Sequence, residues 1–472
     1  MSSLSVILPF VGDTHLSTPL LLIFLLCLLA VVAFEFVNGF HDTANAVATV
    51  IYTKALKPVI AIPWSGFWNF MGVFTGGIAV AMGILKLVPL DALMNLPIGV
   101  GACMVLAVLL ASIAWNLGTW YLGIPCSSSH TMIGAMIGAG LAFTWYYGGA
   151  GVNWGKAEEI GLSLILSPII GFGLAILLMY FLKHVIKYHA LFHIPQGEND
   201  RPPLLIRGLL IMTCTLVSFF HGSNDGQKGV GLLMLILIAF LPAKFAVNHH
   251  IAKEKVLTEL NSSEVLLKKI AVLNHNEGIN MAEFIKRTHQ TKIHLAKKNE
   301  TDKENTYQFR KQIEGVIDMM GKVEADQHLK MNVSDKKQLS EIKGELSKLV
   351  DFAPLWVILI ISISLGLGTM IGWKRIVVTI GEKIGNEHLN YAQGATSEIV
   401  AASTIGLSTA FGLPVSTTHV LSSGIAGAMV ASGGRNNLNN NTLKSIGLAW
   451  VLTLPVSIVL AILLFMLFHL FI

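Results

Sequence analysis

Apolar residues gather along the chain into long stretches parted by short polar connections. Five lie at about 19–52, 58–85, 95–118, 125–147 and 160–183, and five more at about 204–243, 353–373, 394–411, 414–432 and 445–471. About 20 apolar residues cross a bilayer as a helix, so each stretch predicts a membrane span. The first and sixth are too long for one straight span, and each holds a Gly-rich polar motif near its middle. A helix broken at membrane depth is expected there, because irregular backbone is tolerated where it is buried or lines a cavity. Residues 244–351 follow another pattern, with charged residues alternating with apolar ones at helical spacing. Val256, Leu260, Leu266, Leu267, Ile270 and Leu273 form one apolar stripe, which predicts amphipathic helices in a small extramembrane subdomain.

Composition sharpens this picture. The 472 residues are 53% hydrophobic and 13% charged, against about 25% charged in an ordinary soluble domain. A disordered chain, a collagen-like chain and an ordinary cytosolic enzyme are excluded. Residues 244–351 carry 35 of the 61 Lys, Arg, Asp and Glu side chains, so a membrane body is interrupted by one polar segment. The net charge of +5 comes without a block of like charge and does not point to nucleic acid. Cys27, Cys103, Cys126 and Cys214 lie in apolar stretches without a CxxC pair, which gives neither a disulfide framework nor a zinc site. The start, MSSLSVILPFVGD, lacks the basic region of a cleaved signal peptide. In a ten-span arrangement Lys54, Lys57, Lys183, Lys187, Arg201, Arg207, Lys374, Arg375, Arg435 and Lys444 share one side, while Lys86 and Lys156 dissent. Both termini and segment 244–351 are then expected outside, which is the periplasm for a bacterial inner-membrane protein.

Two patterns each occur twice, in the same order. Gly39-Phe-His41-Asp42-Thr-Ala-Asn45-Ala46 matches Gly222-Ser-Asn224-Asp225-Gly-Gln-Lys228-Gly229. Gly123-Ile-Pro125-Cys-Ser127-Ser128-Ser129-His130 matches Gly412-Leu-Pro414-Val-Ser416-Thr417-Thr418-His419. The fold expected is therefore an all-α polytopic membrane protein of two repeats with broken helices. Residues 1–200 form the first, residues 201–243 and 352–472 the second, and 244–351 a polar helical insertion. Five spans separate equivalent elements, so the repeats are expected to be inverted, as in secondary transporters whose sites lie near the midplane.

The motifs define the candidate chemistry. A carboxylate at membrane depth costs at least ~2.5 kcal/mol and is functional by default, which singles out Asp42 and Asp225 for a cation or proton. A duplicated Asp also weakens the simpler reading of a helix cap. His41, Asn45, Asn224, Gln227 and Lys228 add polar groups, and the Lys228 ammonium can stand where a bound cation would, or attract an anion. Ser127, Ser128, Ser129, Ser416, Thr417 and Thr418 follow a proline and suit helix N-termini, whose free N–H groups and positive dipole ends attract oxyanions. The simpler reading is capping or helix packing by small polar residues, as expected for Gly134 and Gly138. Glu398 is a further intramembrane carboxylate without a counterpart in the first half, and Glu35 and Asn69 are weaker candidates. The histidines of the insertion (His249, His250, His275, His289, His294 and His328) show no ligand spacing, which favours a solvated helical insert over a metal sensor. P-loop, HExxH and GxSxG motifs are absent, so no enzyme signature is present.

GFHDTANA and GSNDGQKG, with PCSSSH and PVSTTH, resemble the inorganic phosphate transporter (PiT) family across both membrane halves. His41 and Lys228 stand where the family pattern has Asn, which is similar to its bacterial low-affinity phosphate permease branch. The resemblance implies proton-coupled symport of inorganic phosphate, partly as a neutral complex with a divalent metal. It also implies ten to twelve membrane segments, a homodimer in the cell inner membrane, an elevator-like shift and no resident cofactor or metal. Sodium-coupled relatives hold sodium at the Asp/Asn motifs, and Lys228 puts one such site in doubt. On this reading Ser127, Ser128, Ser129, Ser416, Thr417, Thr418, Asn45, Asn224 and Lys228 bind substrate. Asp42, Asp225, His41 and Glu398 take the coupling proton or cation. The alternatives are a sulfate permease of the same fold and a phosphate-sensing membrane receptor that signals through its insert.

Overall fold

A computed structural model of the chain describes residues 4–8, 10–88, 97–149, 151–196, 200–274, 281–297 and 303–471; His275 lies outside them. The described residues are almost wholly helical. An antiparallel hairpin, β1 (Leu4–Leu8) and β2 (Gly12–Leu16), precedes the first helix and was not expected from the apolar pattern. The chain divides into two compact units, Met1–Ile236 with Pro354–Ile472, and Leu237–Ala353.

In the larger unit the first half runs α1 (Thr18–Asp42), α2 (Ala44–Tyr52), α3 (Pro58–Thr75), α4 (Ala79–Leu85), α5 (Ile98–Tyr121), α6 (Ser128–Tyr147) and α7 (Trp154–Val185). Then follows α8 (Leu204–Phe240), whose last residues fall in the smaller unit. Five membrane-length apolar helices stand out: α1 with α2, α5, α7, α8, and the final helix, residues 440–469. α3 and α4 form a broken pair bent by 71°.

Of the breaks expected at the two Asp motifs, the first is a single residue and the second does not occur. α8 runs through its motif as one helix of 37 residues, about 56 Å long. α1 passes into α2 through Thr43 alone, itself in helical conformation. The backbone stays helical because the polar side chains find partners on neighbouring helices, so no backbone group needs to be freed. The larger interruptions fall at 76–78 and at the two hydroxyl runs.

The hydroxyl runs fold as near copies. Gly123 and Gly412 both have φ +68°, a left-handed conformation that a Cβ resists, and each ends the helix before it. Ser127 then caps α6 by accepting from the His130 N–H at 3.2 Å. Ser416 caps the matching helix, α15 below, by accepting from the His419 N–H at 3.1 Å. Each cap contributes about 1 kcal/mol.

Later in the chain come the helices of the smaller unit, α9 (Lys253–Leu273), α10 (Met281–Lys297), α11 (Lys303–Ala325) and α12 (Val333–Val350). The larger unit resumes with α13 (Leu355–Thr369), α14 (Tyr391–Ala410), α15 (Thr417–Gly433) and α16 (Asn440–His469). The halves are interleaved: α16 packs on α5 and α6, and α7 packs on α14 and α15. Small residues permit the approach. A Cβ on Gly138 would meet the Ile458 carbonyl oxygen at 2.2 Å, and one on Gly427 would meet that of Phe172 at 2.5 Å. The outward faces of α7 and α16 expose Leu162, Ile165, Ile169, Leu448, Val451 and Val459, a surface suited to lipid.

In the smaller unit α9 to α12 pack in sequence, with α12 closing on α9, around a core of its own that includes Leu260, Leu267, Phe284, Ile313 and Leu339. Of the expected stripe, Leu273 is exposed and the other five are buried. Arg310 is buried in this bundle. Its Nη1 donates to the Ala246 and Val350 carbonyls, both at 2.8 Å, and its Nη2 lies 2.8 Å from Glu314 Oε1. The guanidinium thus ties the inbound chain to the outbound chain.

Candidate functional site

The two Asp motifs and the two hydroxyl runs converge in the larger unit, with every charged side chain among them buried. Asp42, at the C-terminal end of α1, takes its partners from both halves. Its Oδ1 accepts from Thr418 Oγ1 at 2.6 Å and from Asn45 Nδ2 at 3.2 Å, and its Oδ2 accepts from Ser128 Oγ at 2.8 Å. Hydrogen bonds to a charged group contribute about 1.5–3 kcal/mol each. Three of them offset an insertion cost of about 2.5–3.5 kcal/mol without a cation.

Asp225, midway along α8, is held differently. Its Oδ2 lies 2.7 Å from Lys228 Nζ, one helical turn on, and accepts from Ser128 Oγ at 3.3 Å. Its Oδ1 is buried without a hydrogen-bond partner among the described residues. The Lys228 ammonium also donates to Ser129 Oγ, which donates to the Val415 carbonyl at 2.7 Å.

The pattern is crosswise. Asn45 of the first motif donates to Thr418 of the second hydroxyl run at 2.9 Å and reaches Thr417 at 3.4 Å. Lys228, its counterpart in the second motif, donates to Ser129 of the first run. The residue before each Asp instead braces the hydroxyl run of its own half. His41 Nε2 lies 3.3 Å from Thr119 Oγ1 and 3.4 Å from Cys126 Sγ, while its Nδ1 lies 3.3 Å from Asp42. Asn224 donates to Thr409 at 2.9 Å and to the Leu413 carbonyl at 3.1 Å, and accepts from the Val415 N–H at 3.2 Å. Asn224 is therefore occupied with holding the second break, and the Ser127 and Ser416 hydroxyls with capping. Gln227 is spent on the broken pair α3 and α4: it accepts from the Val80 N–H at 2.7 Å and donates to the Gly76 carbonyl at 3.1 Å.

Glu398 stands apart from this cage. It lies buried on α14, and its two oxygens accept from Thr49 of α2 and Thr213 of α8. Glu35 is buried against Gly229, with Asn38 Nδ2 donating to it at 3.4 Å.

One cage residue was missed in the sequence. His221, four residues before Asp225, is buried with Nε2 3.8 Å from Asp42 Oδ2 and 3.6 Å from Asp225 Oδ2. Its Nδ1 lies 2.7 Å from Asn69 Oδ1, so Nδ1 carries the proton that the amide oxygen accepts. In the neutral ring the Nε2 lone pair then faces two carboxylates. Asp42, His221 and Asp225 offer one ligand atom each within 4.8 Å of one another, a set suited to a proton or a divalent cation. His221 lies just outside the repeated motif and aligns with Asn38 of the first copy, so the repeat did not single it out. Its spacing of one helical turn from Asp225 was the available signal.

Residues 38–461 match the model of the family described as the phosphate transporter family. A low-affinity inorganic phosphate transporter of Buchnera aphidicola subsp. Acyrthosiphon pisum is 40% identical, over 93% of this chain and 95% of its own. The low-affinity inorganic phosphate transporter PitA of Escherichia coli K12 is 38% identical over the same shares. Among solved structures, a chain titled the sodium-dependent phosphate transporter has the same fold, with a TM-score of 0.55 and 21% identity. That likeness covers 96% of this chain and 100% of the other.

Proposed function

The chain belongs to the phosphate transporter family, and on that premise we propose that it carries inorganic phosphate across the cell inner membrane by proton-coupled symport. One observation carries the reading: the crosswise cage, in which each repeat's motif donates to the other's hydroxyl run around two buried carboxylates. Phosphate sits between the first turns of α6 and α15, bound by Ser128, Ser129, Thr417 and Thr418 and by the free N–H groups of both helix starts. Asn45 and Lys228 complete the donors.

Charge arithmetic supports coupling. Asp42 and Asp225 against Lys228 leave one net negative charge before His41 and His221 are counted. A phosphate dianion added alone would raise it to three inside apolar walls, where unpaired charge is costly. Protons taken up by the cage, or a divalent cation entering with the dianion, remove that cost. The second route leaves the cage charge unchanged, and Asp42, Asp225 and the Nε2 lone pair of His221 would hold such a metal as cargo. We propose accordingly that part of the substrate enters as a metal–phosphate complex. Glu398, isolated on α14, is a second protonation station, and the transporter works as a homodimer.

The test is uptake of labelled phosphate into liposomes that hold the purified protein. A pH gradient without sodium should drive uptake, and magnesium should raise it. Uptake that requires a sodium gradient and ignores pH would refute proton coupling. Competition by excess sulfate as strong as by phosphate would refute the choice of anion.

A further inference from the structure

A cleft of about 580 Å³ opens beside the start of the first hydroxyl run, lined in part by Trp120, Gly123, Trp373, Lys374, Arg375 and Lys383. Its size falls in the range of small-molecule sites, roughly 300–1,000 Å³. The lining holds three cations and no carboxylate. Arg375 is fixed rather than neutralised. Its Nη1 donates to the Tyr121 carbonyl at 2.7 Å, and its guanidinium lies 5.4 Å from the Trp120 ring centroid and 4.9 Å from that of Tyr121. Trp120 is itself held, donating through Nε1 to the Gly372 carbonyl at 2.7 Å. A guanidinium held by ring faces and one carbonyl keeps other N–H groups for a forked contact with an oxyanion. Around the cations the surface is apolar and open: Tyr121, Leu122 and Ile371 are more than half exposed. Cations beneath an apolar rim at the end of membrane helices suit an amphipathic anion.

We propose that this cleft is an accessory site for a phosphate-bearing anion, separate from the transport cage. The chemistry is shared by two sources, the headgroup of an anionic phospholipid and free inorganic phosphate. The site is wired to the first hydroxyl run. Thr379 Oγ1 donates to the Gly123 carbonyl at 2.8 Å, and Arg375 holds Tyr121. Just before them, Thr119 touches His41. An anion drawing Lys374, Arg375 and Lys383 together would steady residues 119–123, the root from which Ser127–Ser129 project.

The experiment uses the full chain in vesicles of phosphatidylcholine alone or with one-fifth phosphatidylglycerol. It compares wild type, the triple variant Lys374→Gln, Arg375→Gln, Lys383→Gln, and the charge-keeping pair Lys374→Arg, Lys383→Arg. If lipid is the occupant, phosphatidylglycerol should speed phosphate uptake roughly fivefold in wild type and in the charge-keeping pair, and leave the triple variant unchanged. If free phosphate is the occupant, uptake should ignore the lipid. Wild type in phosphatidylcholine should then bind two phosphates per chain at equilibrium, and the triple variant one. Either result supports the site. A lipid effect that survives in the triple variant overturns it, as does wild type with no lipid effect and one bound phosphate. Should the triple variant fail to reach the vesicles, Lys374→Gln alone, exposed at the surface, decides on the same two readouts. Because equilibrium binding and lipid dependence are read separately from the driving gradient, failure of proton coupling would not be mistaken for failure of this site.

Discussion

Asp42 and Asp225 occupy matching places in the two repeats, yet their surroundings differ. Asp42 is held by neutral donors: Thr418, Ser128 and Asn45, with a histidine on either side. Asp225 shares Ser128 and His221 with it but is held chiefly by one full charge, Lys228, and its other oxygen has no hydrogen-bond partner among the described residues. Neutral donors stabilise an ionised carboxylate and leave its charge in place. An ammonium cancels the charge and gives up the room that an external cation would use. One duplicated motif thus sets a carboxylate among hydroxyls and an amide in the first copy and beside an ammonium in the second. The asymmetry lies in the side chains that surround two matching Asp positions.

The comparison breaks most severely at Asp225. Asp225→Asn strands the Lys228 ammonium, and uptake should fall by about 100-fold or more while the protein still reaches the membrane. Adding Lys228→Gln should rescue thermal stability and leave uptake lost; recovery of uptake would show that Asp225 has only a structural role. Lys228→Asn makes the second motif resemble the first and removes the built-in cation. Proton-driven uptake should drop about tenfold, and sodium should begin to stimulate it. A variant indifferent to sodium would sink the cation-substitute reading. His221→Gln keeps a polar side chain but loses the lone pair between the carboxylates, so the magnesium stimulation of uptake should shrink about tenfold, with the magnesium-free rate little changed. Gly138→Ala and Gly427→Ala test the interleaving, since each drives a methyl into a carbonyl of the partner helix. Each should cost about 1–3 kcal/mol, read as a lower unfolding temperature, and nearly equally. The smallest effect lies in the smaller unit. Lys268 and Lys292, which donate to Glu264, hold its carboxyl down to about 2. That pairing stabilises the bundle above the ordinary carboxylate range and is lost as pH falls toward 2. Glu264→Gln should therefore lower bundle stability slightly at pH 7, and the gap from wild type should close in acid.

Much of this site was legible because rare residues were repeated. Carboxylates and hydroxyl runs stand out against hydrocarbon, and Gly-x-Pro followed by hydroxyls marks a helix stop and start that the backbone obeys at 123–128 and 412–417. What stayed hidden depended on partners distant in the chain. A Gly-rich polar motif reads as a break, yet α8 passes straight through it, because Ser128, Ser129 and Thr409 satisfy its side chains from other helices. Asn224 reads as a ligand donor, while its amide is spent on the carbonyl and N–H of the second break. His221 carries no repeat signature, and its role exists only where α1 and α8 meet.

Arg310 gives the smaller unit an unexpected topology. By gripping Ala246 and Val350 with one nitrogen, it makes more than 100 residues begin and end at nearly one point. To the chain on either side, such a segment counts as a short turn, with little of the closure entropy that an open loop of that length would carry. The bundle is thus an inserted cassette: it can lengthen, shrink or be exchanged in evolution without altering the spacing of the strands of chain that bear it.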